Sequence, residues 1–220
     1  MITDIKESFG FYFKNFIRLT IPYILLVGGY IASIRFVPFS NTVLLGILLF
    51  CFGFLVLVIA SMTVIDVWGA ANGFNFGFGD NVIYVLKNLP KLLSSVTLIA
   101  PPGFLILYLF VNFFSFYLFI PLAFYPFFFI YLLPIVLLTE NGLFEGIKRS
   151  FDMAWKNFQR TAIITFIPAI IIGYVSSFSL YEIVFLFLFP IWVVVITRNF
   201  CSISECEAST GYLTSVNQEK

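Results

Sequence analysis

Histidine is absent from this chain of 220 residues, and charged residues are scarce. Charged side chains occupy 10% of the positions and apolar side chains 61%, and the mean hydropathy is +1.04. Soluble domains carry about 25% charged residues, so this composition indicates a polytopic membrane protein. The missing histidine removes the commonest general base and the commonest metal ligand.

Cysteine is also rare, with three residues in the chain. Cys51 lies in an apolar run and Cys201 and Cys206 follow the last such run, a spacing unlike that of a metal knuckle or a disulfide framework. The carboxylates at the ends of the apolar runs are scattered, which argues against a two-carboxylate hydrolytic site. We therefore predict a non-enzyme with no catalytic residue, no cofactor and no metal.

Long stretches without any charge mark the predicted membrane spans, because a charge at the bilayer centre costs about 2.5–3.5 kcal/mol. We predict an all-α fold with six transmembrane helices in three hairpins. The spans are residues 19–34, 42–63, two within 92–139 that meet at Pro121, 161–180 and 183–197.

Lysine and arginine set the predicted orientation, since they are enriched in cytoplasmic segments. If the N-terminus is cytoplasmic, Arg35 is the one basic residue in an outer loop. Both termini are therefore predicted to be cytoplasmic. The first 18 residues carry Asp4 and Glu7 and read as an amphipathic helix rather than a cleavable signal, so the first span is predicted to be retained.

Residues 140–160 form the longest charged interruption and have helical periodicity. Five apolar side chains share one stripe: Phe144, Ile147, Phe151, Trp155 and Phe158. Five charged side chains share the opposite face: Glu145, Arg149, Asp152, Lys156 and Arg160. This pattern predicts an amphipathic helix that lies flat on the bilayer.

A sequence repeat connects this segment to the N-terminus. Residues 5–18 align with 147–160 through eight identical pairs, and a weaker third copy covers 81–91, where Pro90 must kink or end the helix. We predict one membrane domain over residues 1–200, built from units 1–66, 67–139 and 140–200, with a polar cytoplasmic tail at 201–220. Each unit is predicted to consist of a cytoplasmic amphipathic helix and a two-span hairpin.

The repeated segments supply the candidate site residues. Those predicted to contact anionic lipid head groups or an unidentified membrane or cytoplasmic protein are Lys14, Arg18, Lys87, Lys91, Lys148, Lys156 and Arg160. The alternative is that these side chains are snorkelling anchors that set helix depth. A structural role is predicted for Asn15, Asn88, Asn157 and Trp155, with each amide bonded to the backbone of a neighbouring helix.

A small permease or lipid-translocating component is the alternative to this non-enzymatic lipid- or partner-binding function. The polar span residues that could line a path are Asn112, Ser115, Ser176, Ser177 and Ser179, although ordinary interhelical hydrogen bonds also explain them. The spans carry no ionisable residue away from their ends, which argues against a proton relay. No feature indicates nucleic-acid binding.

Residues 133–161, LPIVLLTENGLFEGIKRSFDMAWKNFQRT, resemble the signature of the YciC-like family of uncharacterised bacterial inner-membrane proteins, which is related to the membrane domains of some glycerophosphodiester phosphodiesterases. NLPKLL, residues 88–93, is similar to the middle region of that family. The resemblance implies a six-span protein of the bacterial inner membrane, and it implies no catalytic residues.

Overall fold

The computed structural model describes residues 2–36, 42–113, 124–139, 142–176 and 181–203. These residues form helices joined by short turns, and no strand occurs among them, which confirms the predicted helical class. The helices are α1 (Ile2–Lys14), α2 (Phe16–Phe36), α3 (Thr42–Ala71), α4 (Phe78–Phe113), α5 (124–129), α6 (Leu132–Leu138), α7 (Leu143–Lys156), α8 (Phe158–Ser176) and α9 (Tyr181–Ile203).

Four of the described helices are long and apolar enough to cross a membrane. The candidate spans are Phe16–Ser33, Gly46–Ala71, Phe78–Ile99 and Leu186–Ile203, and Phe124–Leu138 is a shorter apolar helical segment. A span needs about 20 apolar residues, so these segments support a membrane protein. The predicted count of six spans stays a prediction, and its turn at Pro121 lies outside the described residues.

Helix α3 occupies the centre of the packing, where it contacts α2, α4, α6 and α9. It runs antiparallel to α2, because the Tyr23 hydroxyl lies 3.3 Å from the Thr63 hydroxyl while the Tyr30 and Phe52 rings meet at 4.3 Å. The core around α3 consists of apolar side chains such as Trp68, which apposed helices shield from solvent.

The amphipathic helices follow a cyclic pattern of contacts. Helix α1 packs against α9, α4 packs against α3, and α7 packs against α6. Each of these helices thus lies against the apolar helix that ends the preceding unit, and α1 lies against the last one. A second apolar cluster, made of Tyr12, Leu19, Val67 and Val194, joins α1 and α2 to α3 and α9.

Two helix boundaries differ from the sequence-based prediction. The amphipathic helix predicted over 140–160 spans Leu143–Lys156, because the chain turns at Asn157 before α8 begins. Pro90 does not end its helix: α4 continues through it, and through Pro101 and Pro102, for 36 residues. The middle amphipathic segment and the following apolar segment therefore form one helix, whereas α1 and α2 are separated at Asn15.

Candidate functional site

The three repeated asparagines make the same local contact. Each side-chain amide donates to the carbonyl four residues earlier: Asn15 to Phe11 at 2.9 Å, Asn88 to Tyr84 at 3.0 Å and Asn157 to Met153 at 3.1 Å. Asparagine side chains that bond to nearby backbone groups compete with regular helix bonding, and the chain turns at both Asn15 and Asn157. The amides thus act within their own helix, whereas the sequence-based interpretation assigned them to a neighbouring one.

The helix faces around these asparagines are buried at the same phase. The position seven residues before the asparagine is buried in each copy: Ser8, Asn81 and Ser150. The position three residues before it is also buried: Tyr12, Val85 and Ala154. So is the position four residues after it: Leu19, Leu92 and Thr161. Residues three and four apart share one helix face, so each copy turns the same face toward the protein.

Exposed apolar side chains precede the asparagines on the other face. Phe13 is 65% exposed, Leu86 54% and Trp155 62%, and each is followed directly by an exposed lysine. We name these segments the triplets, defined as Phe13-Lys14-Asn15, Leu86-Lys87-Asn88 and Trp155-Lys156-Asn157. An exposed large apolar side chain beside a lysine suits the boundary between acyl chains and head groups.

Helix α7 shows how the sequence builds this arrangement. Its buried face carries small residues, and the Ser150 hydroxyl donates to the Phe128 carbonyl at 2.8 Å. The Phe151 ring stacks on Phe128 at 3.9 Å, while Phe144 and Trp155 remain exposed. Small residues permit close helix contact, so α7 packs closely against α5 and α6 while Phe144 and Trp155 stay exposed.

The remaining predicted basic residues divide into two groups. Lys91 and Lys148 are exposed and Arg160 is partly buried. Arg18 is exposed and also contacts the protein: its guanidinium donates to the Asp66 carboxylate at 2.5 Å and to the Phe76 carbonyl at 2.7 Å. These contacts join α2, α3 and the turn before α4, and the lipid contact of Arg18 stays a prediction.

Asp66 is the centre of this polar contact. The Asp66 Oδ1 atom also accepts a hydrogen bond from the amide of the buried Asn81 at 2.6 Å. A small cavity of about 50 Å³ lies beside the pair and is lined in part by Asn15, Arg18 and Asp66. The sequence places Asp66 at the end of a predicted span but carries no signal for the partnership with Asn81, which requires the turn 72–77 to bring α4 back along α3.

The turn itself is held by aromatic stacking. Phe74 and Phe76 both stack on Trp68, with ring centroids 5.9 and 6.1 Å away, and Gly73 has a φ of 78°. Glycine accepts this left-handed conformation without the strain that a side chain causes. Phe74 and Phe76 thus anchor this loop on Trp68, whereas Phe78 is exposed.

A second ion pair joins residues 191 positions apart. Arg198 of α9 donates to Glu7 of α1 at 2.9 Å, and its guanidinium carbon lies 5.5 Å from the centre of the Phe11 ring. A cation placed over an aromatic face is attracted to it. This contact holds α1 against α9.

Buried hydroxyl groups stabilise the junctions between helices. The Tyr12 hydroxyl lies 2.9 Å from that of Thr20, and burial raises the pKa of Tyr12, a shift that this hydrogen bond partly opposes, so the phenol stays protonated. The Tyr131 hydroxyl lies 3.1 Å from the Thr161 hydroxyl, and it accepts a hydrogen bond from the Asn199 side-chain amide. Buried polar groups need such partners.

Comparisons with protein-family models, with curated proteins and with solved structures found no match. The resemblance to the YciC-like family therefore stays a prediction.

The described residues contain no group of three metal-binding side chains. The side chains considered for a transport path, Asn112, Ser115, Ser176, Ser177 and Ser179, lie outside those the structure describes. Two further cavities are lined mainly by apolar side chains, one of about 260 Å³ beside α4 and one of about 450 Å³ between α2 and α3. The triplets are therefore the best-defined candidate site.

Proposed function

We propose that this chain is a non-enzymatic integral protein of the bacterial inner membrane whose triplets bind anionic lipid head groups on the cytoplasmic side. The observation that carries the proposal is the exposed pair of apolar side chain and lysine that occurs before each repeated asparagine. The apolar member enters the acyl region, and the lysine lies at the phosphate level.

The energetics favour a shared function for the three triplets. A basic residue near an anionic surface contributes about 1 kcal/mol, so a single lysine binds weakly. Three lysines together contribute about 3 kcal/mol, or more than a hundredfold in local preference for anionic lipid. The common burial phase of the three helices supports the view that the lysines act as a set.

A six-span layout with three hairpins completes the proposal. In this layout α4 crosses the membrane with the residues that follow Lys91, so the first part of the candidate segment Phe78–Ile99, which includes Lys87, lies at the interface. It is supported by the antiparallel contacts of α2 with α3 and by the hydrogen bond from Tyr84 to the Leu137 carbonyl at 2.6 Å, which pairs the start of α4 with the end of α6. Reporters fused after Lys91 and Lys220 are expected to indicate the cytoplasm, and one near Glu182 the opposite side. A reversed pattern would contradict the orientation.

Trp155 provides a direct test of lipid preference, because it belongs to a triplet and is exposed. The protein is reconstituted in vesicles of mixed anionic and neutral phospholipid, and either the anionic or the neutral lipid carries bromine, which quenches tryptophan emission. The contribution of Trp155 is the difference between the wild type and Trp155→Phe. Brominated anionic lipid is expected to quench Trp155 more strongly than its share of the bilayer predicts.

Charge variants identify the cause of that preference. The triple variant Lys14→Ala, Lys87→Ala, Lys156→Ala is expected to lose it, whereas the matched triple exchange to arginine keeps the charge and is expected to retain it. Equal quenching by brominated anionic and neutral lipid in the wild type would refute the proposed function and leave the lysines as depth anchors.

The alternative of a lipid-translocating component has one observation in its favour, the apolar cavities between helices. Such cavities suit acyl chains rather than polar solutes. Transfer of a fluorescent phospholipid between leaflets of proteoliposomes, compared with protein-free vesicles, tests this function. Equal transfer rates in the two preparations would rule it out.

A further inference from the structure

A cavity of about 260 Å³ lies where α3, α4, α5 and α6 meet. It is lined by Leu57 of α3, by Leu92, Ser95, Val96 and Ile99 of α4, and by Phe129, Leu132, Leu133 and Val136 of α5 and α6. Ser95 is the polar member of this lining, and its hydroxyl already donates to the Lys91 carbonyl at 2.7 Å. The walls thus present carbon atoms to an occupant.

The size and chemistry of the cavity restrict what can fill it. Apolar cavities of about 150 Å³ stay dry and accept benzene, and this one is larger. Water has few hydrogen-bond partners in such a site, and an empty space forfeits the dispersion contacts of its walls. The occupant that suits it is a flexible hydrocarbon, and the surrounding bilayer supplies acyl chains.

Helix α4 connects this cavity to positive charge. Leu92, the first residue of α4 in the lining, directly follows the exposed Lys91. Lys91, Ser95 and Ile99 are spaced four residues apart and form one row on the helix surface. The row therefore begins at the Lys91 ammonium group, and one to two turns later it reaches Ser95 and Ile99 in the wall of the cavity.

We propose that this cavity binds one acyl chain of an anionic phospholipid whose phosphate contacts Lys91. The site deepens the proposed function, on which it rests for the anionic nature of the head group. The cavity site differs from the triplets because it holds a single lipid at a defined position and does not involve Trp155.

A cavity-filling variant tests the acyl-chain contact. Val96 lines the cavity and is partly exposed, so Val96→Phe can direct a ring into the space, while Leu98→Phe enlarges a side chain two residues away that is absent from the lining. Purified protein in mild detergent is titrated with phosphatidylglycerol, and bound lipid is counted by native mass spectrometry. The wild type and Leu98→Phe are expected to retain one phospholipid per chain.

Val96→Phe is expected to bind this lipid at least about tenfold more weakly, the factor that corresponds to losing fewer than two buried methylene contacts. Lys91→Ala is expected to retain a phospholipid but to lose the preference for phosphatidylglycerol over phosphatidylcholine. If Val96→Phe unfolds at a lower temperature than Leu98→Phe, Ser95→Leu is used instead, because residue 95 also lines the cavity. Ser95→Leu is then expected to weaken phosphatidylglycerol binding in the same way.

Three outcomes would overturn the inference: retention by the filled variants equal to that of the wild type, a bound molecule that is not a phospholipid, or no bound lipid in the wild type. None of these outcomes affects the quenching of Trp155, so the site can fail while the proposed function stands. The opposite result is also distinguishable. If brominated anionic lipid does not quench Trp155 preferentially, but Val96→Phe still weakens lipid binding, the cavity binds an acyl chain without selecting the head group.

Discussion

Replacing Gly69 with alanine is expected to destabilise the protein, although alanine favours helices over glycine. Gly69 lies in the last turns of α3, where a Cβ atom would stand 2.6 and 2.7 Å from two carbons of the Phe76 ring and 3.2 Å from the Phe74 carbonyl oxygen. Carbon atoms attract optimally at about 3.5–4.0 Å. The Phe76 ring must therefore move by about 1 Å to restore ordinary contact.

That movement affects more than one contact. Phe76 is buried and stacks on Trp68, and its carbonyl accepts the hydrogen bond from Arg18. Overpacking of this kind costs about 1–3 kcal/mol, while the change from glycine to alanine in a helix returns up to about 1 kcal/mol. With the full helix gain subtracted, the expected net loss in the free energy of unfolding is centred on about 1 kcal/mol and reaches about 2 kcal/mol.

Gly53 provides the matched control, because it lies in the same helix and a Cβ atom there would meet nothing within 4 Å. Thermal unfolding in detergent, followed by intrinsic fluorescence, should rank Gly53→Ala at or above the wild type and Gly69→Ala below it. Combining Gly69→Ala with Phe76→Leu should remove most of the penalty relative to Phe76→Leu alone. Equal stability of the two alanine variants would refute the reasoning, as would a penalty that persists when residue 76 is leucine.

Three further predictions concern polar and exposed positions. Asp66→Asn removes the ion pair with Arg18 and should lower the free energy of unfolding by about 0.5–1 kcal/mol in a chemical denaturation titration, a small value because Arg18 is 42% exposed and exposed pairs contribute little. An unchanged free energy of unfolding would contradict this expectation. Tyr131→Phe removes the hydroxyl that the buried Thr161 hydroxyl and the buried Asn199 amide share. The free energy of unfolding should fall by about 1–3 kcal/mol in the same titration, and a change below about 0.5 kcal/mol, the usual effect at exposed sites, would contradict this. Cys51 is exposed on a candidate span, so with Cys201 and Cys206 replaced by serine, a polar maleimide added to open membrane fragments should leave Cys51 unlabelled and should label the variant Lys14→Cys. Labelling of Cys51 would place it in water instead of lipid.

Helix identity could be predicted from the sequence because it depends on local patterns. Absence of charge located the apolar segments, and the spacing of Phe151, Trp155 and their neighbours predicted α7. The phase of the repeated asparagines also emerged from sequence alone, since identical spacing along a helix places residues on identical faces. The residue that directly precedes the lysine is exposed in all three copies, which agrees with that phase.

The pairing of polar groups could not be predicted, because it depends on which helices become neighbours. Arg18 reads in sequence as one more interfacial cation, yet the position of α3 beside α2 directs it to Asp66. Asn81 reads as an unremarkable polar residue, and it becomes a buried donor because the turn after α3 is held on Trp68. Pro90 was expected to kink or end a helix, and the helix does not end there, because packing of α4 against α3 and α6 sustains it on both sides of the proline.

The contact between α1 and α9 has a consequence for synthesis of the chain in the cell. Glu7 meets Arg198 across 191 residues, which a ribosome working at about 5–20 residues per second takes about 10–40 s to cover. During that interval the first helix exists without its final neighbour, and its apolar side chains can be shielded by the bilayer surface. Docking of α1 therefore waits for synthesis of α9, and a defect in α9 should leave α1 exposed to proteases and quality-control factors.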